Sequence, residues 1–134
     1  MRLLLDTHIV LWLLTNDARL GPATRERITS GESACHVSAA SWWELAIKQS
    51  RDATRLPVSL ADVRSTALQA GIREVSVTPT HALGVSALPA LHRDPFDRML
   101  IAQALTEPFW LVTADAQVAE YEAACGVLIV RATE

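Results

Sequence analysis

The chain has 134 residues, of which half are hydrophobic and a fifth are charged, and its formal net charge is −3 at pH 7. This length and hydropathy are typical of one globular domain with one core, so we expect a single domain over residues 1–134. The acidic balance argues against a protein that binds nucleic acid through overall basicity, and any phosphate contact has to be local.

The compartment is predicted from the N-terminal run and from the cysteines. Residues 1–14 resemble a short signal peptide, but Asp6 and His8 interrupt the apolar run and no cleavage site of small residues follows closely. The chain contains no apolar stretch of about 18 residues, so no membrane span is expected. Cys35 and Cys125 lack metal-binding spacing and fit reduced thiols. These features predict a cytoplasmic protein.

Short apolar runs alternate with segments of helical periodicity along the chain. In chain order, the predicted strands cover residues 2–5, 34–37, 73–77, 109–112 and 127–130. The predicted helices cover residues 7–15, 23–30, a segment capped by Ser38 or Ser41 that runs to about 50, 60–70, 79 to about 89, Asp97 to 105, and 114–124. This alternation is typical of an α/β protein in which a parallel sheet is covered on both faces.

Four acidic residues fall where such a sheet would gather them. Asp6 and Asp115 each follow a predicted strand, Glu44 lies one turn into the helix after the second strand, and Asp97 lies at a helix start. Because the carboxyl ends of parallel strands share one edge of the sheet, we expect these side chains to face the same crevice.

A group of carboxylates at one point favours a bound cation. The carboxylates repel one another, and one would take up a proton unless a divalent ion neutralised the group. An oxygen-only ligand set favours Mg²⁺, with Mn²⁺ as the alternative, over Zn²⁺. Such an ion can activate a water molecule and stabilise the charge that develops during phosphodiester cleavage.

Each acid also has a purely structural interpretation. Asp6, Asp97 and Asp115 each precede a predicted helix, where Asp is a preferred N-cap. Glu44 could simply pair with Lys48 four residues later. Glu44 is flanked by apolar residues, however, and Asp6 interrupts a core-like run, so burial of both carboxylates favours a metal site.

Four blocks of the sequence carry a resemblance to a known family. They are LLLDTHIVLWLL at 3–14, VSAASWWELAIK at 37–48, LHRDPFDRMLIAQAL at 91–105 and LVTADAQVAEY at 111–121. In this order and spacing the chain resembles the PIN-domain nucleases, and within them the VapC-like toxins of bacterial type II toxin–antitoxin pairs. The family pattern has its four acids at Asp6, Glu44, Asp97 and Asp115.

The resemblance implies both a fold and an activity. The implied fold is an α/β/α sandwich with a central, mostly parallel sheet of four or five short strands. The implied activity is Mg²⁺- or Mn²⁺-dependent RNA cleavage by a metal-activated water, with inhibition by a cognate antitoxin protein and with a homodimer as the expected assembly. Thr113 matches the hydroxyl position that steadies the first acid. Asp94, in the variant DPFD, is interpreted as a supporting or structural residue.

Other polar and aromatic residues near these blocks leave alternatives open. Arg98, with His92 and Arg93, flanks the third acid and is a candidate for RNA phosphate contacts, although an exposed rim or an ion pair with Asp94 is an equal alternative for Arg93. His8 and the tryptophans are expected in the core rather than against substrate. An Arg-rich segment at 19–27 and the Trp-rich helix offer surfaces for a dimer or antitoxin contact.

Two other classes of protein compete with the ribonuclease. An aspartate-phosphorylating phosphatase would need Asp at position 8, where this chain has His, and a receiver domain would need a late lysine, whereas Lys48 is the single lysine. The second alternative is a non-catalytic PIN-fold protein that docks RNA or a protein partner. The presence of all four acids favours the enzyme.

Overall fold

The computed structural model describes residues 1–54 and 56–134 and contains a five-stranded parallel sheet. The strands lie in the order β3-β2-β1-β4-β5, and every neighbouring pair runs parallel. The strands are β1 (Arg2–Leu5), β2 (Ala34–Ser38), β3 (Arg73–Val75), β4 (Trp110–Thr113) and β5 (Leu128–Arg131). The predicted α/β fold is confirmed, and the sheet is parallel throughout.

Eight α-helices and one 3₁₀ turn connect these strands in the part of the chain that the structure describes. The helices are α1 (Thr7–Leu14), α2 (Pro22–Thr29), α3 (Ala39–Arg51), α4 (Leu60–Gln69), α5 (Pro79–Gly84), α6 (Pro95–Thr106), α7 (Ala116–Ala119) and α8 (Tyr121–Cys125), with the 3₁₀ turn at Val85–Ala87. None of the helices in residues 1–54 and 56–134 has the length and apolar character needed to cross a bilayer.

The core lies on both faces of the sheet because side chains alternate along each strand. Leu3 and Leu5 of β1 pack with residues of α1, α2 and α4 on one face, whereas Leu4 packs with α6, α7 and α8 on the other. All three leucines are completely buried. This two-sided burial explains why β1 is a continuous apolar run, as expected of a central parallel strand.

The structure differs from the prediction at the start of α6 and within the predicted helix over residues 114–124. Helix α6 begins at Pro95, and its N-cap is Asp94, which accepts from the backbone N–H groups of Phe96 and Asp97. The interpretation of Asp97 as the cap is therefore wrong, because the proline at the first helical position moves the helix start upstream. The predicted helix over 114–124 is broken into α7 and α8, which lets Tyr121 turn inward to the core.

The strand order places the acid-bearing loops together. The chain builds β2 and β3 on one side of β1 and then returns to build β4 and β5 on the other side. The order therefore reverses between β1 and β4, and the crevice beyond the carboxyl ends of these two strands is where open α/β sheets bind ligands. Asp6 follows β1 directly, and Asp115 lies two residues after the end of β4.

Gly21 lies where the start of α2 meets the last residues of the chain. Its backbone N–H donates to the Ala132 carbonyl at 2.8 Å, and the Ala23 N–H donates to the Glu134 carbonyl at 3.0 Å. A Cβ atom added at Gly21 would lie 2.3 Å from the Glu134 carbonyl oxygen. Only glycine fits this approach of two backbone segments without displacing one of them.

We predict that Gly21→Ala lowers the free energy of unfolding by about 1–3 kcal/mol, the usual cost of overpacking a closed site. Gly84→Ala is the matched control, because its Cβ would meet nothing closer than 3.7 Å, and it should leave stability unchanged or raise it by up to about 1 kcal/mol. Urea unfolding measures both. Equal stabilities of the two variants would contradict the proposed packing at Gly21.

Candidate active site

A cleft of about 270 Å³ opens at the carboxyl edge of the sheet. Its lining contains all four predicted acids together with Asp94 and is completed by His8, Trp12, Lys48 and Ala114. A larger cavity, of about 730 Å³, lies at the amino ends of β2 and β3 and contains none of these acids. The smaller cleft therefore holds the carboxylates on which the candidate chemistry depends.

Asp6 is buried at the junction of β1 and α1, with both carboxylate oxygens engaged. Oδ1 accepts from the backbone N–H of Thr7 at 2.7 Å, and Oδ2 accepts from the Thr113 hydroxyl at 2.8 Å. Burial raises the pKa of Asp6 above its ordinary value, the nearby Glu44 adds to this effect, and the two hydrogen bonds oppose it. Asp6 thus caps α1 and also faces the cleft, so the two interpretations are compatible.

Glu44 is only 5% exposed and is held by two side chains. Its Oε1 accepts from the Thr7 hydroxyl at 2.8 Å, and its Oε2 accepts from the Lys48 ammonium at 2.5 Å. The Thr7 hydroxyl also lies 2.9 Å from the hydroxyl of Ser41. The expected pairing of Glu44 with Lys48 is therefore present at a buried carboxylate.

Thr7 and Ser41 were not identified from the sequence, although both support the site. Thr7 holds Asp6 through its backbone and Glu44 through its hydroxyl. A signal was available, since Thr7 is adjacent to the first acid and Ser41 lies three residues before Glu44, on the same helix face. Which hydroxyl each acid meets depends on the packing of α1 against α3, and the sequence does not specify that packing.

Asp97 lies in the first turn of α6 with His92 beside it. The His92 Nε2 atom is 2.8 Å from Asp97 Oδ2. Burial, together with the charges of Asp6, Asp94 and Glu44, raises the pKa of Asp97 to about 7, although the hydrogen bond from His92 acts to lower it. A carboxyl group with this pKa retains a proton at neutral pH unless a cation replaces that proton.

Asp115 is the most exposed of the four acids, with 42% of its side chain accessible. It caps α7, because its Oδ1 accepts from the Gln117 backbone N–H at 2.8 Å. Its own backbone N–H donates to the Thr113 hydroxyl at 3.1 Å, and its Oδ2 lies 4.0 Å from His92 Nε2. Thr113 therefore connects the first and the fourth acid.

The Arg98 side chain lies against the loop that precedes α6. Its guanidinium donates to the carbonyls of Pro89 at 2.9 Å and Val85 at 3.1 Å and to the Tyr121 hydroxyl at 3.0 Å. These bonds use the guanidinium to hold the loop before α6, and a phosphate contact of Arg98 stays a prediction. The loop offers several backbone carbonyls at this point, and a bidentate donor satisfies them.

The side chains of His8 and Trp43 are exposed, although both were expected in the core. His8 was expected in the core but is exposed and lines the cleft. Trp43 was likewise expected in the core but is 64% exposed, with its ring edge-on to Phe96 at 5.2 Å between centroids. In each case the neighbouring acid, Asp6 or Glu44, takes the inward-facing position, and the adjacent residue on the helix turns outward.

The arrangement fits a divalent cation. Among the described residues, His92, Asp94 and Asp97 offer ligand atoms that all lie within 4.8 Å of one another. His92 thereby adds an imidazole to the oxygen-only ligand set predicted from the sequence. The carboxylate oxygens suit Mg²⁺ or Mn²⁺, whereas an imidazole ligand is typical of softer ions. Burial and the neighbouring carboxylates raise the pKa of Asp97, and a bound cation would favour its ionised form.

The fold and the cleft define a parallel α/β protein with a carboxylate-lined site at the switch point of its sheet. The family model described as "PIN domain" matches residues 3–124 of the chain. Ribonuclease VapC22 of Mycobacterium tuberculosis (strain ATCC 25618 / H37Rv) is 32% identical over 113 residues, which cover 84% of this chain and 85% of that protein. The chain belongs to the PIN-domain family.

Two solved structures are similar in fold. VapBC2 from Rickettsia felis, bound to a DNA fragment from its promoter, gives a TM-score of 0.69 at 12% identity and covers 97% of this chain and 98% of that chain. VapBC-1 from nontypeable Haemophilus influenzae gives a TM-score of 0.63 at 14% identity and covers 100% of both chains. At such low identity these likenesses show the shared fold.

The raised pKa of Asp97 predicts how stability depends on pH without metal. The folded state binds this proton more tightly than the unfolded chain, in which the pKa is near 3.8. The free energy of unfolding should therefore fall as the pH rises from about 4 to about 7. Asp97→Asn should reduce this fall, as measured by urea unfolding in EDTA at several pH values.

The comparison with the variant removes contributions common to both proteins. The lowered pKa of His36 acts in the opposite direction, whereas the lowered pKa of Asp17, at about 2, acts below this window. The two proteins should differ between pH 5 and 7. Parallel curves over that range would contradict the account of Asp97.

Proposed function

We propose that residues 1–134 form a single PIN-like nuclease domain, a divalent-metal-dependent endoribonuclease that acts in the cytoplasm as the toxin of a toxin–antitoxin pair. The observation that carries the proposal is the meeting of Asp6, Glu44, Asp97 and Asp115 in one cleft. The relationship to a ribonuclease supports RNA as the substrate. Mg²⁺ is the first candidate for the ion, and Mn²⁺ is the alternative.

The chain's own residues prepare the carboxylates for the ion. Thr7 and Thr113 hold Asp6 by 2.7 and 2.8 Å hydrogen bonds, which fix its orientation before an ion arrives. A bound divalent ion would supply a water of lowered pKa and positive charge for a phosphate oxygen. Because Asp6 is already oriented, its carboxylate would need little rearrangement to bind an ion.

Asp97 can hold a proton near neutral pH, and His92 is hydrogen-bonded to the same carboxyl group. Since the pKa of Asp97 is about 7, a cation bound at this carboxylate would compete with its proton near neutral pH. His92 Nε2 lies 2.8 Å from Oδ2 and orients this carboxylate in the structure. Cation affinity should therefore increase with pH up to about 7.

RNA cleavage is the direct test of this function. The purified protein should cleave RNA with Mg²⁺ and should lose cleavage in EDTA. Asp6→Asn should lower the rate at least about 100-fold, because transition-state stabilisation by a metal is worth several kcal/mol. Thr113→Val should lower it by about 10- to 100-fold, since it leaves the carboxylate without its orienting donor.

Asp62→Asn is the matched control, because Asp62 is an exposed acid in the first turn of α4 outside the cleft. This control should cleave at the wild-type rate. Cleavage that persists in EDTA or in Asp6→Asn would refute the metal–carboxylate mechanism. RNA binding without cleavage by the wild-type protein would instead favour the non-catalytic binding protein.

The proposal includes a cognate antitoxin and a homodimer as partners. The likeness to VapBC structures supports the antitoxin, and the exposed Trp43 offers an aromatic contact of the kind enriched in interfaces. Expression of the chain alone should arrest growth, whereas the Asp97→Ala form should not. Co-expression with the protein encoded beside it should restore growth, and light scattering on the purified complex should give the number of copies.

Growth arrest by the wild-type chain and by the Asp97→Ala form has to be compared at equal protein levels. Immunoblotting of a tagged chain provides that control, and far-UV circular dichroism shows that Asp97→Ala is folded. Equal growth arrest by both proteins would contradict the role of Asp97, and arrest that persists with every neighbouring gene product would contradict the toxin–antitoxin pairing.

A further inference from the structure

The charge of the cleft opposes the entry of an RNA strand. Its lining contains five carboxylates, those of Asp6, Glu44, Asp94, Asp97 and Asp115. One divalent ion neutralises two charges, and the whole chain is itself acidic, with a net charge of −3. A phosphodiester that approaches this site therefore needs a further positive group within the cleft.

Among the described residues that line the cleft, Lys48 is the one permanently charged cation. It is also the single lysine of the chain. Its side chain is 40% exposed, whereas that of its partner Glu44 is 6% exposed. The ammonium group therefore lies at the boundary between a buried carboxylate and solvent, on a long and flexible stem that can reach either of them.

Two arginines near the cleft, Arg98 and Arg19, are engaged with other groups. The Arg98 guanidinium is held by the loop before α6. Arg19 is paired with Asp17 at 2.7 Å and lies over the Trp12 ring, with 4.7 Å between Cζ and the ring centroid. Within residues 1–54 and 56–134, the ion-pair partner of Lys48 is Glu44.

The hydrogen bonds of Glu44 couple the ammonium group to the ion. Oε1 accepts from Thr7 and Oε2 accepts from Lys48, so both carboxylate oxygens already have a donor. A divalent ion that took Oε2 as a ligand would repel the Lys48 ammonium bound to the same oxygen and so favour its release. The displaced ammonium then lies in the same cleft as the incoming phosphate.

We propose that Lys48 is a phosphate-binding residue whose ammonium exchanges Glu44 for a non-bridging oxygen of the RNA when the metal ion and the substrate bind. The inference rests on the proposed function and deepens it, because it assigns a residue that holds the polyanion. Lys48 thus forms an ion pair with Glu44 in the free protein and contacts an RNA phosphate in the complex.

RNA binding by the folded protein tests the exchange. A fluorescent single-stranded RNA is titrated with protein in Ca²⁺ at several salt concentrations, and a denaturing gel checks that the RNA stays intact. Lys48→Met should weaken binding about tenfold, as expected for loss of a hydrogen bond to a charged group. It should also reduce the slope of log affinity against log salt by about 0.7, the value for one phosphate contact on a single strand.

Two further variants separate charge from position. Arg51→Met removes a positive charge from the exposed end of the same helix, outside the cleft, and should leave the slope unchanged. Lys48→Arg keeps the charge and should keep the slope. Mn²⁺ affinity, read by electron paramagnetic resonance, should be equal or higher in Lys48→Met, because a competing cation has been removed.

The outcomes distinguish this inference from the proposed function. If Lys48 only positions Glu44, Lys48→Met will bind Mn²⁺ more weakly and will keep the wild-type salt slope for RNA, which overturns the exchange. A wild-type protein that cleaves RNA while Lys48→Met matches it in affinity and slope overturns this inference alone. A wild-type protein that neither binds nor cleaves RNA overturns both.

Discussion

The buried carboxylate of Asp6 is the constraint on which the rest of the structure depends. It lies where β1 ends and α1 begins, with one oxygen on the Thr7 backbone and the other on the Thr113 hydroxyl. These bonds join the central strand, its following helix and the neighbouring strand β4 at one point. A hydrogen-bonded carboxylate is tolerated there, although burial raises its pKa.

Structural and functional roles coincide in the acids of this site. Asp6 and Asp115 cap helices, and Glu44 forms an ion pair within α3. Each of these contacts orients a carboxylate that also lines the cleft. Asp97 differs, because Asp94 caps α6 in its place and leaves Asp97 with His92 as its side-chain hydrogen-bond partner. The carboxyl group least used by the scaffold is thus the one whose pKa rises to about 7.

The parts of the fold that follow from local chemistry were predictable from the sequence. The apolar run of β1, the positions of the five strands and the gathering of the acids at one edge depend on periodicity and on the geometry of parallel sheets. The Thr7–Glu44 bond joins residues 37 apart in sequence, and the Arg98 contacts depend on the path of the loop before α6. Such contacts are set by the packing of elements against each other, which no local pattern specifies.

Exposure was the least predictable property of the helices beside the site. Trp43 and His8 are next to or near acids that turn inward, and helical geometry then directs them to solvent. Their hydrophobic or aromatic character suggested the core, but the buried face of each helix was already taken by Glu44 or by residues such as Ile9 and Val10. The chemistry of the site thus overrides the usual preference of residues for the interior.

A divalent cation should neutralise the carboxylates at the end of β1. Anomalous diffraction from crystals grown with Mn²⁺ tests this claim most directly. The account predicts an anomalous peak in the cleft, at roughly 2.1 Å from oxygens of Asp6 and Asp97, the distance typical of small hard cations. A fully occupied Mn²⁺ peak elsewhere on the protein, with none between these two carboxylates, would contradict it.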